Sequence, residues 1–327
     1  MMYTQQLPGL YCPFPSKLNP HVEKSDKHTT NWVKKYRLVP SEEVWSYYHR
    51  QKFTWMVARM FPTAEPHALS IAADLNTLLF ILDDQFDEHS DDSAGIKQSI
   101  QFERLVHALI GIMKRNSIVT LEKGGPVLSA VSDFWRRIRK LGNLGWQVRF
   151  IESLQQAFAA NLWRIENVNR SQLPSVEEYM KWRPIFSGAS FFAYLLEAIE
   201  GFCLPDYVFL DGKVQRLIQL CSNTICWAND LFSFNKELEQ GDEMNLVMLI
   251  RNNRDCSIDE AITAAVNIHD EQVKQFETLA QELPSFNMST DLQLSRYIHA
   301  LSIMMKGNID WSTKDTERYH FTMLETA

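Results

Sequence analysis

Residues 229–237 read NDLFSFNKE, and the spacing of the polar side chains in this stretch indicates a helix. Asn229, Ser233 and Glu237 stand at positions i, i+4 and i+8. On an α-helix, residues four positions apart are rotated by about 40°, so the three side chains form one column. A carboxylate, an amide oxygen and a hydroxyl suit Mg²⁺, which prefers oxygen ligands. Without other information, the pattern also fits an ordinary polar helix face.

A second group of oxygen donors ends an apolar stretch at residues 78–87, LLFILDDQFD. Asp83 and Asp87 are one helical turn apart, so they share a face that can hold a hard cation. Acidic clusters are usually solvated surface, but negative charge at a helix C-terminus opposes the helix dipole. The apolar residues around the carboxylates, among them Phe80, favour the rim of a pocket. An EF-hand is excluded because Glu88 stands where that loop needs glycine.

Helical patterns continue along most of the chain. Apolar residues recur at helical spacing, for example over 214–225, whereas alternating strand patterns are scarce. Glycine and proline number only 12 each among 327 residues, which disfavours a turn-rich β fold. Ser41, Ser175 and Ser257 each precede acidic residues and a helical stretch, as is typical of helix N-termini.

The predicted fold is therefore all-α: a single-domain bundle of about ten or more helices that encloses an apolar active-site cavity. The predicted helices span residues 42–60, 65–89, 97–115, 126–141, 146–168, 176–182, 188–200, 212–239, 258–282 and 290–306, with a short last helix after Trp311. We find no repeat or long linker, so residues 1–327 are expected to form one domain. Residues 1–40 are expected to be an N-terminal arm that packs on the bundle.

Composition excludes several classes of protein. The formal net charge of -7 provides no basic surplus for nucleic acid or an anionic lipid surface. The longest apolar runs are too short to span a bilayer, and no secretory signal begins the chain. The five cysteines are odd in number and never spaced as C-x-x-C, so we expect reduced thiols and a cytoplasmic location.

Considered together, the two motifs resemble the paired metal-binding motifs of class I terpene synthases. DDQFD at 83–87 is similar to the family's DDxxD pattern, and NDLFSFNKE at 229–237 is similar to (N/D)Dxx(S/T)xxxE. Arg183 stands where the family has its diphosphate-sensing arginine, and Arg318 with Tyr319 resembles its final RY pair. The resemblance covers most of the chain from about residue 40. One departure is PIF after Arg183, where the family often has a polar residue.

The resemblance implies a microbial single-domain terpene cyclase that ionises and cyclises a prenyl diphosphate and releases diphosphate. Three Mg²⁺ ions are implied, for which Mn²⁺ can substitute. The implied metal ligands are Asp83, Asp84, Asp87, Asn229, Ser233 and Glu237. The implied diphosphate donors are Arg183, Lys236, Arg318 and Tyr319. A homodimer is a further expectation from the family.

The carbocation formed in such a reaction has to be kept from water, and aromatic faces stabilise it. Phe80 and Trp311 are the preferred candidates because they lie near the motifs, whereas core packing explains Phe53 and Phe186 better. A helix break at Ser187 and Gly188 would expose carbonyls near Arg183. We expect one of these carbonyls to face the cation.

Three alternatives remain open from the sequence. Farnesyl diphosphate is the expected substrate, and the C20 geranylgeranyl diphosphate is the alternative. A chain-elongating prenyl transferase is disfavoured because Asn229, Ser233 and Glu237 replace the second DDxxD motif of that class. A non-catalytic helical scaffold leaves the predicted diphosphate-binding cations unexplained.

Overall fold

The computed structural model describes residues 6–7, 9–87, 95–169, 173–319 and 321–323, and the described part is almost entirely helical. It contains fourteen helices and one pair of two-residue strands, which confirms the predicted all-α class. The elements are β1 (Gln6–Leu7), α1 (Val22–Tyr36), α2 (Glu42–Arg50), α3 (Phe53–Met60), α4 (Pro66–Asp87), α5 (Gly95–Arg115), α6 (Leu121–Ile138), α7 (Leu144–Asn169), α8 (Val176–Phe186), α9 (Ala189–Ile199), α10 (Asp206–Phe209), α11 (Gly212–Gln240), α12 (Leu246–Arg254), α13 (Ile258–Gln281), α14 (Met288–Lys314) and β2 (Thr322–Met323).

The chain divides into two compact units, so the single domain expected from the sequence stays a prediction. The first unit contains the described residues within 1–16, 172–193 and 204–327. The second contains those within 17–171 and 194–203. An enclosed cavity also stays a prediction.

In the first unit, α11 packs against α8, α12, α13 and α14. Asp211 caps its start by accepting hydrogen bonds from the backbone of Lys213 and Val214. Gly241 ends it in the left-handed conformation, with φ of 74°. Side chains on all sides of the helix are buried, including Leu217, Cys221, Trp227 and Leu231. Burial of each leucine stabilises the fold by about 1.5–3 kcal/mol, so α11 is a rigid support for the residues it carries.

In the second unit, α4 packs against α1, α3 and α6. Asp74 of α4 is completely buried and links α4 to α1 and α6 through charged hydrogen bonds. Thr29 Oγ1 of α1 donates to it at 2.7 Å, and Arg137 Nη2 of α6 donates at 2.8 Å. Because a buried carboxylate is stable only when it is paired, this network fixes the helix that carries DDQFD.

Some predicted elements need correction. The arm predicted at residues 1–40 contains α1, whose buried face includes the polar residues Ser25 and Thr29 and was therefore not recognised as an apolar stripe. The helix predicted at 42–60 is two helices, because Lys52 takes a left-handed conformation. The short helices α10 and α12 were not predicted.

The end of the helical region also differs from the prediction. No separate helix starts after Trp311 in the described residues up to 319 and over 321–323, and Trp311 itself lies inside α14, which continues to Lys314. Gly307 would be expected to end the helix, since glycine costs about 1 kcal/mol in a helix interior. Burial of Ile309 and Trp311 beyond it outweighs that cost.

All five cysteines are free thiols, as predicted. No helix among the described residues combines the length and the apolar character needed to cross a bilayer.

Candidate active site

The predicted column of oxygen donors lies on one helix. Asn229, Ser233 and Glu237 all belong to α11. Ser233 Oγ donates to the Asn229 carbonyl oxygen at 2.8 Å, so its lone pairs stay available to a cation. Asn229 Nδ2 donates to the Tyr319 hydroxyl at 2.8 Å. The structure thus brings Tyr319, ninety residues further along the chain, to the first member of the column.

Arg183 reaches the same residue from α8. Its Nη2 donates to Asn229 Oδ1 at 2.8 Å, and its Nε donates to Asp230 Oδ1 at 2.8 Å. Its side chain is only 11% exposed. Burial lowers the pKa of Arg183, but the Asp230 carboxylate, together with Tyr179, Cys226 and Glu237, raises it by more in total, so the pKa lies well above the ordinary value. Arg183, Asn229 and Tyr319 therefore form one connected group in the first unit.

Asp230 is the residue that holds this group and was not singled out from the sequence. It is completely buried, and its Oδ2 accepts from the Tyr179 hydroxyl at 2.7 Å and from Leu246 N at 3.1 Å. With Arg183 on Oδ1, both of its oxygens are occupied. It thus orients Arg183 next to Asn229 and is a positioning residue.

Asn245 has the same kind of role for Glu237. Its Nδ2 donates to Glu237 Oε2 at 2.8 Å and to the Asp230 carbonyl oxygen at 2.8 Å. Its Oδ1 accepts from Val247 N and caps α12. Burial, followed by the neighbouring Asp230 carboxylate, raises the pKa of Glu237 to about 7. The signal in the sequence was an asparagine before the apolar run 246–250, which marks a helix start.

The helix break predicted beside Arg183 is confirmed. α8 ends at Phe186, α9 begins at Ala189, and Gly188 has φ of +82°. A Cβ atom at Gly188 would lie 2.6 Å from Phe191 Cε1. Both the backbone conformation and the available space therefore require glycine. The Phe186 ring centroid lies 5.3 Å from Arg183 Cζ, close enough for a cation–π contact.

We expect Gly188→Ala to destabilise the protein by about 1–3 kcal/mol, because alanine strains the left-handed backbone and displaces Phe191. Thermal unfolding followed by circular dichroism measures the effect. Gly212→Ala is the matched control, because Gly212 starts α11 without positive φ and a Cβ atom there meets nothing within 4 Å. An equal loss of stability in both variants would contradict the assignment.

The acidic motif lies in the second unit, at the end of α4. Asp83 is exposed, and its Oδ1 lies 3.5 Å from Arg164 Nη1 of α7. Asp84 is half-buried. Asp87 belongs to α4, but its side chain lies outside the described part of the structure, as does all of Glu88. Phe80 is half-buried and stacks on Phe53 with ring centroids 4.0 Å apart.

The other predicted residues also lie in the first unit. Lys236 is half-buried on α11, and Arg318 is half-buried in the segment after α14. Trp311 is completely buried, and its ring meets that of Tyr319 edge to face at 5.8 Å. Trp311 therefore supports Tyr319 directly. A separate groove of about 570 Å³ is lined by residues of α13 and α14 and by Phe14, and no predicted site residue lines it.

The donor set of α11 fits a divalent cation. Among the described residues, no three His, Cys, Asp or Glu side chains are grouped so that they could hold a metal. The column on α11 offers one carboxylate together with an amide oxygen and a hydroxyl. The Asn229 amide oxygen has two lone pairs and can accept from Arg183 while it binds a cation. Glu237 supplies the negative charge. Hard oxygen donors of this kind favour Mg²⁺ or Mn²⁺ over softer metals.

Comparison with known proteins identifies the class. The model of terpene synthase family 2, described as its C-terminal metal-binding region, matches residues 74–275. The chain belongs to the terpene synthase family, whose members are lyases, and the matched region implies use of a divalent metal. The match includes Asp83, Arg183 and the whole of α11.

Individual relatives extend the similarity over nearly the full chain. The (+)-T-muurolol synthase ((2E,6E)-farnesyl diphosphate cyclizing) of Roseiflexus castenholzii is 32% identical over 314 residues, which cover 94% of this chain and 92% of the relative. The germacrene A synthase of Nostoc punctiforme is 27% identical, and the alignment covers 96% of this chain and 95% of the relative. The crystal structure of linalool/nerolidol synthase from Streptomyces clavuligerus shares the fold, with a TM-score of 0.81 and 21% identity. The superposition covers 93% of this chain and 99% of that structure.

Proposed function

We propose that the protein ionises farnesyl diphosphate, cyclises the resulting allylic cation to a sesquiterpene and releases diphosphate. The observation that carries the proposal is the connected group of Arg183, Asn229 and Tyr319. In it, the Arg183 guanidinium and the Tyr319 hydroxyl both contact Asn229, a predicted metal ligand. The farnesyl diphosphate named for the Roseiflexus relative supports the C15 substrate over the C20 alternative.

The metal ligands of the proposal come from both motifs. Asn229, Ser233 and Glu237 would hold one Mg²⁺, and the acidic motif at Asp83, Asp84 and Asp87 would hold two, with Mn²⁺ able to substitute. When bound, the ions supply Lewis-acid stabilisation of the departing diphosphate. Ser233 and Asn229 contribute no charge, so Glu237 has to be ionised for tight binding on α11. Asn245 holds that carboxylate in place.

The diphosphate would be bound by Arg183, Lys236, Arg318 and Tyr319. A guanidinium has five N–H donors, so Arg183 can keep its bond to Asp230 and turn the remaining donors toward phosphate oxygens. The Tyr319 hydroxyl accepts from Asn229 and so has its own proton available for donation. Charge-assisted hydrogen bonds of this kind are roughly twice as strong as neutral ones.

Two features of the chain would act on the cation after the diphosphate leaves. Aromatic rings such as Phe80 stabilise positive charge without reacting with it. A carbonyl at the break around Gly188 would direct its negative end toward the cation. Because the break follows Arg183 on the same segment, diphosphate binding and carbonyl placement would be coupled. A homodimer remains an expectation.

Incubation with farnesyl diphosphate and Mg²⁺, with analysis of extract and headspace, tests the proposal. We expect a cyclic C15 product and one diphosphate per turnover. A longer prenyl diphosphate would indicate a transferase, a product from the C20 substrate alone would indicate a diterpene synthase, and no product from any chain length would indicate a scaffold. The dimer is tested separately by sedimentation.

Asp83→Ala is expected to lower turnover at least about 100-fold through lost metal binding. Because the Asp83 side chain is 51% exposed and lies as far as 3.5 Å from Arg164, loss of this ion pair should leave the fold intact. Glu103→Ala, which removes an exposed carboxylate from α5, is the control. Parental activity of Asp83→Ala, or full parental activity in chelator, would contradict a metal role for this motif.

Phe80→Ala is expected to change the product mixture more than the KM for farnesyl diphosphate, since a ring acts on the cation and not on the leaving group. Loss of the Phe53 stack would also lower stability, by about 3–5 kcal/mol at most. Gas chromatography of the products at equal conversion measures the first effect. An unchanged product profile with only a lower rate would place Phe80 away from the cation.

A further inference from the structure

Two distant parts of the chain pair as parallel strands in the first unit. Gln6 lies opposite Thr322 and Leu7 opposite Met323. β2 begins three residues after Tyr319. Leu7 is only 2% exposed, so this member of the pairing is packed against other parts of the protein. A two-residue ladder is too short to be stable alone, which means that its surroundings hold it.

The segment around β1 is firmly attached to α13. We call this segment the strap; its described residues are 6–7 and 9–14. Tyr11 N donates to Asp270 Oδ1 at 2.9 Å, and the Tyr11 hydroxyl donates to Glu277 Oε2 at 2.9 Å. Phe14 packs edge to face on Phe276 with centroids 5.8 Å apart. The strap is thus anchored on a long helix at one end and paired with β2 at the other.

The segment around β2 carries two of the proposed diphosphate donors. We call it the RY segment; its described residues are 316–319 and 321–323. Apart from β2, it has no helix or strand among these residues. The contacts of Tyr319 with Asn229 and Trp311, and the stacking of Phe321 on Phe232 at 5.0 Å, hold it against α11 and α14.

We propose that the strap is a positioning element for the RY segment. By pairing with β2 it restrains the chain immediately after Tyr319, and so keeps Arg318 and Tyr319 beside the metal-ligand column of α11. A segment with little helix or strand keeps one position only where contacts with other parts of the protein restrain it. Leu7 and Tyr11 are the positioning residues: Leu7 is buried within the paired segment, and Tyr11 attaches the strap to α13. The catalytic consequence rests on the proposed function, whereas the restraint itself does not.

Leu7→Asp in the full chain tests the proposal, because a carboxylate at this buried position disrupts the pairing. Leu18→Asp, the same change at a leucine that is 38% exposed, is the control. Hydrogen exchange of a peptide covering 316–323 is measured by mass spectrometry without substrate. We expect exchange at least about tenfold faster in Leu7→Asp and parental in Leu18→Asp, while peptides from α11 and α13 stay protected in both.

Comparison of KM with kcat then distinguishes a loss of positioning from a general loss of folded structure. We expect the KM for farnesyl diphosphate to rise at least about fivefold in Leu7→Asp, with a smaller change in kcat, and Leu7→Ile to restore both. If Leu7→Asp does not fold, Leu7→Ala is measured by the same criteria. Parental exchange at 316–323 in the folded variant would overturn the proposal, and so would faster exchange with an unchanged KM. If even the parent makes no terpene, the exchange result still decides whether the strap restrains the RY segment, and the proposed function alone has failed.

Discussion

Arg183→Lys is expected to lower turnover at least about 100-fold while the protein stays folded. In the structure, the guanidinium contacts Asp230 through Nε and Asn229 through Nη2 at the same time. A lysine ammonium keeps the charge near Asp230, but it cannot reach both residues and present further donors to diphosphate. The substitution therefore removes the geometry of the arginine and retains its charge.

Lysine is a sharper test than alanine at this position. Asp230 is completely buried, and removing its only cationic partner in the described hydrogen-bond network would cost about 3–5 kcal/mol. A loss of activity in Arg183→Ala would therefore mix unfolding with lost catalysis. Arg216→Lys, at an exposed position of α11, is the matched control.

Turnover is measured with farnesyl diphosphate, and thermal unfolding with and without inorganic diphosphate and Mg²⁺. We expect diphosphate to stabilise Arg183→Lys less than the parent and Arg216→Lys as much as the parent. If Arg183→Lys is folded, turns over at the parental rate and is stabilised by diphosphate as much as the parent, Arg183 serves only to balance the charge of the Asp230 carboxylate.

The parts of the candidate site that follow local spacing could be predicted from the sequence. The column on α11 depends only on helical periodicity, and the break at Gly188 depends on one glycine before the apolar helix α9. The capping boxes at Ser175 and Ser257 are both present in the structure. In each case the deciding interactions are between residues fewer than ten positions apart, so tertiary structure was not needed to recognise them.

The residues that position the column could not be predicted in the same way. Asp230 directly follows Asn229, so its side chain is rotated by about 100° and meets α8 instead of following the column. That rotation is visible in the sequence, but its partner, Arg183, lies 47 positions away. The strap and β2 pair across more than 300 residues, and two-residue strands have no detectable alternation. The left-handed Lys52 between α2 and α3 is also set by packing, since lysine has no preference for that conformation.

Glu237→Gln is expected to lower turnover at least about 100-fold and to change how stability depends on pH in the metal-free protein. Burial raises the pKa of Glu237 to about 7, whereas an unfolded chain ionises glutamate near 4.5. Between these values the folded protein binds a proton that the unfolded chain has lost, so stability falls as pH rises. Glutamine resembles the protonated acid at every pH and carries no such penalty. In chelator, the Tm of the parent relative to Glu237→Gln should therefore decrease from pH 5 to pH 8.

Adding Mg²⁺ at pH 8 should raise the Tm of the parent relative to that of Glu237→Gln, because a cation bound at Glu237 compensates the negative charge that burial disfavours. We expect Mg²⁺ to raise the Tm of the parent more than that of Glu237→Gln, which keeps the acidic motif but has lost the only negative ligand of the column on α11. Glu239→Gln, the same change at an exposed position of that helix, should follow the parent in both experiments. A Tm difference independent of pH would show that the carboxylate is ionised when folded, and equal stabilisation by Mg²⁺ would show that the metal binds elsewhere. The two readouts follow different events at the same carboxylate: loss of its proton in chelator, and binding of a cation when Mg²⁺ is added.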